Sequence, residues 1–197
     1  MKRCDWCSTD TDYQDYHDNV WGRPVSDSRD LFAKLCLDGQ QAGLSWLTIL
    51  RKQDNYYQAY DNFDPTIICN YNDEKIEQLL QDAGIVRNKL KIQSIIKNAK
   101  GYLAIEDEFG SFSKYIWSFV EYHPIINSWP SIGDVPVTSP ESDAMSKDLK
   151  KRGFSFVGST ICYAFMQAVG MVQDHLIDCI SYEECLQESK NFFLLSK

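Results

Sequence analysis

Lys150-Lys151-Arg152-Gly153-Phe154-Ser155-Phe156-Val157-Gly158 is the stretch on which the reading of this chain turns. Glycines stand at both ends of a short turn, apolar side chains can anchor it, and basic residues precede it. The flanks are helical in pattern. Ser139-Pro140 supplies a cap and a proline at the first helical position, opening a helix that stops at Gly153. A second helix begins after Gly158 and runs to Gly170. Helices joined in this way form either an ordinary αα-corner or a helix–hairpin–helix. In the latter, backbone N–H groups of the hairpin and of the following helix hold a phosphate. On this segment alone both readings are open.

The same punctuation recurs outward from the turn. Asp27 is a plausible cap for a helix with Leu31, Phe32, Leu35 and Cys36 on one face and Gly39 as its stop. From Asn72 a helix carries Ile76, Leu79, Leu80 and Ala83 and ends at Gly84. Another, from about Asn88, aligns Ile92, Ile95, Ile96, Ala99 and Leu103. Four of the six prolines fall between Pro124 and Pro140, marking a loop. Only Phe154–Val157 alternates like a strand, and it is short. The expected class is all-α, with one helical unit over residues 1–185, which two small lobes with a pocket between them could also form, and a tail over 186–197.

Composition narrows the function. The chain has 197 residues, 44% of them hydrophobic and 13% aromatic, which is ample for a core and unlike a disordered chain. No run of about 18 apolar residues is present to span a membrane, and the first residues lack the apolar run of a secretion signal. Seven cysteines, an odd number without a dense framework, fit reduced thiols, so a cytoplasmic location is expected. The net charge of −8 by itself argues against a nucleic-acid partner. Distribution argues the other way: Arg87, Lys89, Lys91, Lys97 and Lys100 have no acid among them, and Lys147, Lys150, Lys151 and Arg152 form a second cluster, although such runs are commonly solvated helix faces.

Two constellations carry chemistry. His175 and Cys179, at i and i+4, would share one face of a helix and reach one ion, and Cys4 with His17 would complete a Cys2His2 tetrahedron. A zinc so held would staple both ends of the chain and add directly to its folding energy. Cys4-Asp5-Trp6-Cys7 is itself a C-x-x-C, so Cys7 competes as a ligand, and a redox dithiol is the other reading of that pair. The second constellation is aromatic. Trp6, Tyr13, Tyr16, Trp21 and Trp46 accompany a polar, glycine-containing turn with Asp38, Gln40, Gln41, Gly43 and Leu44. Carboxylate and amide groups among stacking surfaces suit a planar, hydrogen-bonding ligand such as a flipped base.

Taken together these blocks resemble the DNA-3-methyladenine glycosylase I family of the helix–hairpin–helix glycosylase superfamily. The resemblance rests on Arg3-Cys4-x-Trp6, Tyr16-His17-Asp18-Asn19-x-Trp21-Gly22, Gly39-Gln40-Gln41-Ala42-Gly43-Leu44-Ser45-Trp46 and Asp82-Ala83-Gly84-Ile85. Lys151-Arg152-Gly153-Phe154, Phe156-Val157-Gly158 and Asp174-His175 with Cys179 complete it. It implies a helix–hairpin–helix fold whose terminal segments are joined by structural zinc on Cys4, His17, His175 and Cys179. It implies an enzyme, expected to act as a monomer, that flips 3-methyladenine out of double-stranded DNA and releases it as free base. Trp46 would stack on the base, with Trp6, Tyr13, Tyr16 and Trp21 as walls, and Tyr16 and the side chain at position 38 would bond its edge. Gly43 and Leu44 would fill the gap in the duplex, and Gly153, Gly158 and Lys151 would hold its backbone. The family pattern has Glu at position 38, whereas this chain has Asp38, shorter in reach by about 1.5 Å. A zinc-stabilised damaged-base binder with weakened catalysis is the alternative that this change leaves open. Asp174, beside a predicted ligand, is expected to be structural.

Overall fold

The computed structural model describes residues 2–194. Its helices are α1 (Thr11–Asn19), α2 (Ser28–Gln41), α3 (Trp46–Leu50), α4 (Gln53–Ala59), α5 (Pro65–Ile68), α6 (Asp73–Gln81), α7 (Lys89–Phe109) and α8 (Phe112–Trp117), followed by α9 (Pro140–Lys151), α10 (Ser159–Ala168) and α11 (Tyr182–Asn191). The caps read from sequence are in place. Asp27, Asn72, Asn88 and Ser139 each accept from first-turn amides, satisfying donors that have no intrahelical partner. Ser139 and Ser142 cap reciprocally ahead of α9.

α2 runs through the middle of the molecule, packed on α3, α7, α8 and α10. Leu31, Phe32, Ala33, Leu35, Cys36 and Leu37 are all buried, so apolar surface is removed from water around most of its circumference. α7 lays Ile92, Ile95, Ile96, Ala99, Tyr102 and Ile105 against the same core.

Several expectations are corrected. Gly39 does not stop α2, which continues to Gln41; it is a seat for the turn between α9 and α10. A Cβ there would lie 3.1 Å from both the Cβ and the carbonyl oxygen of Phe156. Gly101 of α7 is the second seat, since a Cβ would lie 2.3 Å from the Phe154 ring. α6 ends at Gln81, three residues before Gly84. Phe154–Val157 forms no strand, because its backbone bonds to side chains: Ser155 N–H donates to Asn98 Oδ1 (2.8 Å), and Ser146 Oγ donates to the Val157 carbonyl (2.7 Å). The strands among the described residues are instead β1 (Ile125–Ile126) and β2 (Val172–Gln173), paired in parallel. His175 and Cys179 lie on no helix; the amides of Ile177 and Ile180 bond to the carbonyls of Trp129 and Lys2. α11 runs across residues 185 and 186, and Phe192 after it packs on Trp117 with ring centroids 4.4 Å apart. No helix among the described residues is long and apolar enough to cross a membrane.

Candidate active site and metal centre

The segments entering α1 and leaving β2 meet. Donor atoms of Cys4, His17, His175 and Cys179, all buried, lie within 4.8 Å of one another and could hold a metal ion. Cys4 Sγ is 3.6 Å from His175 Nδ1, and Cys179 Sγ is 3.5 Å from His175 Nδ1 and 3.4 Å from His17 Nε2. The outward nitrogens have partners of their own: His17 Nδ1 is 2.7 Å from Asp18 Oδ1, and His175 Nε2 is 3.2 Å from the Trp21 carbonyl. With those nitrogens donating, the inward ones carry lone pairs, as ligation requires, and that of His17 accepts the Cys4 amide at 3.3 Å. Arg3 in turn grips Asp18 through two nitrogens. The Cys179 thiol is pulled well below the usual thiol range by its hydrogen bond with Cys4, against the opposing effect of burial. Cys7 stands outside the cluster, its Sγ beside the Ser8 and Tyr13 carbonyls. Burial raises its thiol, contrary to what a redox dithiol needs.

Beside the centre opens a cavity of about 390 Å³. Trp6, Tyr13, Tyr16, Trp21 and Trp46 are on its wall. Trp6 bridges the group, with ring centroids 5.2 Å from Tyr13, 6.5 Å from Tyr16 and 5.0 Å from Trp21, and Tyr16 is 5.4 Å from Trp46. Asp38 also faces the cavity, as do Lys34 and Gln41 of the same helix. The Lys34 ammonium pairs with Asp38 Oδ1 and sits 3.9 Å from the centre of the Trp46 ring. Asp38 Oδ2 and Trp46 Nε1 are buried with no hydrogen-bond partner. Burial pushes the Asp38 carboxyl up and the Lys34 ammonium down, each opposed by the other's charge. Tyr16 is raised well above the usual phenol, again by burial.

Gly43 and Leu44 flank an adjoining recess that shares Asp38, Gln41, Thr160 and Ala164 with the main cavity, and Leu44 is exposed. The turn carrying Gly153 and Gly158 lies at the other end of the same machinery. Gly158 caps α10 with no side-chain bond to its first amides, while Thr160, Tyr163, Ala164 and Gln167 of α10 face the cavity. Lys151 and its neighbours Lys147 and Lys150 are exposed. Arg152 instead pairs with Glu108 and Asp148. Lys91 is not a surface charge either: it is buried, donating to the carbonyls of Gln40 and Ala42 at 2.7 Å each. Asp174 reaches the cavity wall with both oxygens engaged, Oδ1 by Asn127 and Trp129 and Oδ2 by Tyr163 and Gln167, at 2.7–2.8 Å.

Sequence reasoning missed Lys34, Thr160, Tyr163 and Gln167. The signal for Lys34 was present: residues 34, 38 and 41 make a polar stripe at i, i+4 and i+7 beside the apolar run of α2.

Comparison with known proteins agrees with this geometry. A family model described as methyladenine glycosylase matches residues 6–182. DNA-3-methyladenine glycosylase 1 of Escherichia coli K12 is 50% identical over 182 residues, covering 92% of this chain and 97% of that protein. A crystal structure of a 3-methyladenine DNA glycosylase I superposes with a TM-score of 0.89 at 52% identity, covering 91% and 98% of the two chains. The Staphylococcus aureus glycosylase I, from a study of 3-methyladenine recognition, gives 0.90 at 39% identity, covering 92% and 97%. The chain belongs to the methyladenine glycosylase family.

Proposed function

We propose that the protein hydrolyses the N-glycosidic bond of 3-methyladenine in alkylated double-stranded DNA, after flipping the base into the aromatic cavity. The observation that carries this reading is Asp38 Oδ2, a buried acceptor without a partner, beside the unpartnered Trp46 Nε1 in a cavity walled by aromatic rings. Buried polar atoms are normally satisfied, so this pair marks a place built for a ligand. A base methylated at N3 is cationic. It stacks on Trp46 and Tyr16 by cation–π attraction and offers its exocyclic amine to the carboxylate.

The positive charge makes the base a leaving group that needs little help. The carbon–nitrogen bond breaks with its electron pair passing to the base, which leaves neutral. Water then adds to the sugar cation at its anomeric carbon and loses a proton to solvent. Asp38 and the tyrosines orient the base between the aromatic walls. Asp174, already holding four donors, fixes Tyr163 and Gln167 in the wall.

Recognition of DNA follows from the hairpin. A helix–hairpin–helix formed by α9, residues 152–158 and α10 presents the uncapped amides of α10 to a phosphate, with Lys151 nearby and Leu44 entering the gap left by the base. Little side-chain charge is required, which reconciles the acidic chain with its partner. Zinc is the ion that the four-ligand cluster fits. A tetrahedral ion with metal–sulfur and metal–nitrogen bonds of about 2.3 and 2.05 Å places S and N about 3.6 Å apart, against 3.4–3.6 Å here. Held by the two cysteines and two histidines, such an ion would supply cross-linking of the chain.

The test is release of free 3-methyladenine from methylated duplex DNA, read by chromatography. Release is the expected result. Binding to lesion DNA without release would make the chain a damaged-base binder.

A further inference from the structure

The cavity already holds a cation. The Lys34 ammonium is 3.9 Å from the centre of the Trp46 ring and paired with Asp38, the two contacts that the proposed base would make. Its side chain is only 16% exposed, and among the described residues no second carboxylate pairs with it. One turn of α2 fixes the i, i+4 relation, so this is a contact built into the helix. A planar base bonded to Asp38 Oδ2 and stacked on the Trp46 face that the ammonium covers would overlap the volume the ammonium occupies.

We propose that Lys34 is a specificity-determining residue, a tethered cation that a charged base must displace from beside Asp38 to stack on the Trp46 face it covers. This inference rests on the base-recognition reading above. Displacement has two costs for an incoming cation: the Lys34–Asp38 attraction is given up, and the displaced ammonium still repels the ligand from nearby. A neutral base incurs the first only. Lys34 therefore sets a threshold against cations, so that only a base presented by DNA with the binding energy of hairpin and wedge behind it crosses it. Asp38 and Lys34 form one unit, in which the shorter carboxylate leaves the lysine room to lie over the tryptophan.

Charge-selective binding tests this. Calorimetric titration would compare wild type, Lys34→Gln and Lys34→Arg with two probes: neutral 3-methyladenine and 3,9-dimethyladeninium, whose charge is permanent. Lys34→Gln keeps a donor for Asp38 without the charge; Lys34→Met serves if thermal unfolding shows that the glutamine variant does not fold. Loss of the charge should tighten binding of the cationic probe by about tenfold or more, with a clearly smaller gain for the neutral probe, and Lys34→Arg should behave as wild type. Equal gains for both probes, or no gain for the cation, would overturn the inference while leaving base recognition intact. Failure of every protein to bind either probe would overturn the recognition reading and the inference with it.

Discussion

Asp38 meets two demands with one carboxylate. Oδ1 neutralises Lys34 and Oδ2 is left without a partner on the protein. Replacing it with asparagine removes the anion from both. Lys34 would then be a nearly buried charge without a counter-ion, a change that costs on the order of 3 kcal/mol. Asp38→Asn should thus lower the unfolding free energy by about that amount and reduce 3-methyladenine release by about a hundredfold. The Lys34→Gln/Asp38→Asn pair separates the two effects: stability should return in denaturant titrations while release stays low. Asp38→Glu, which restores the reach of the family pattern, should keep or raise release. Equal release by all the Asp38 variants would remove the carboxylate from recognition. At this scale the sequence was legible where residue identity alone brings groups together, as for the aromatic residues on the cavity wall and the two cysteines and two histidines of the cluster. Lys34 was obscured because a lysine opposite an apolar stripe reads as solvent-facing, and here that face of α2 borders a cavity.

Among the elements, the hairpin between α9 and α10 depends on what lies beneath it. Asn98 clamps it, with Oδ1 accepting from the Ser155 amide and Nδ2 donating to the Ser155 carbonyl, while Phe154 and Phe156 press onto Gly101 and Gly39. Alanine in the middle of a helix is ordinarily better than glycine by about 1 kcal/mol. At Gly101 the sign should reverse. The added carbon would meet the Phe154 ring at 2.3 Å, so the ring and the turn must shift. Gly101→Ala should lower stability by about 2 kcal/mol and weaken binding to undamaged duplex DNA, leaving the binding of free 3-methyladenine nearly unchanged. A rise in melting temperature would show that the contact is soft. Caps and glycine breaks made the helices readable in sequence, since each has a local cause. The glycines at 39 and 101 have a distant one, a phenylalanine from the hairpin, so Gly39 looked like a stop. The His175–Cys179 spacing misled for a similar reason: the backbone there is bonded to Trp129 and Lys2, remote in sequence.

At the scale of the molecule, the Cys/His cluster brings the two ends of the chain together, and an ion held there would close the chain on itself. His17 and Cys179 are 162 positions apart, yet their ligand atoms are 3.4 Å from one another. Linking such distant points removes freedom from the unfolded chain, in the loop-closure account on the order of 5 kcal/mol. The aromatic box depends on that link. Trp6 lies two residues from Cys4, Tyr13 and Tyr16 precede His17, and Trp21 gives its carbonyl to His175. Chelation should therefore lower the melting temperature by roughly 10–20 °C and abolish base binding at temperatures where the helices persist by circular dichroism. Acid should act in the same direction, because protons compete with the metal for thiolates and imidazoles, so the stability conferred by the ion falls as pH falls. The ligand set itself is tested by two serine variants. Cys4→Ser should lose metal, measured by mass spectrometry of the purified protein, together with the stability it confers. Cys7→Ser should retain both, since Cys7 Sγ rests against the Ser8 and Tyr13 carbonyls, outside the cluster. Equal loss of metal from the two variants would place Cys7 among the ligands and undo the tetrahedron of Cys4, His17, His175 and Cys179.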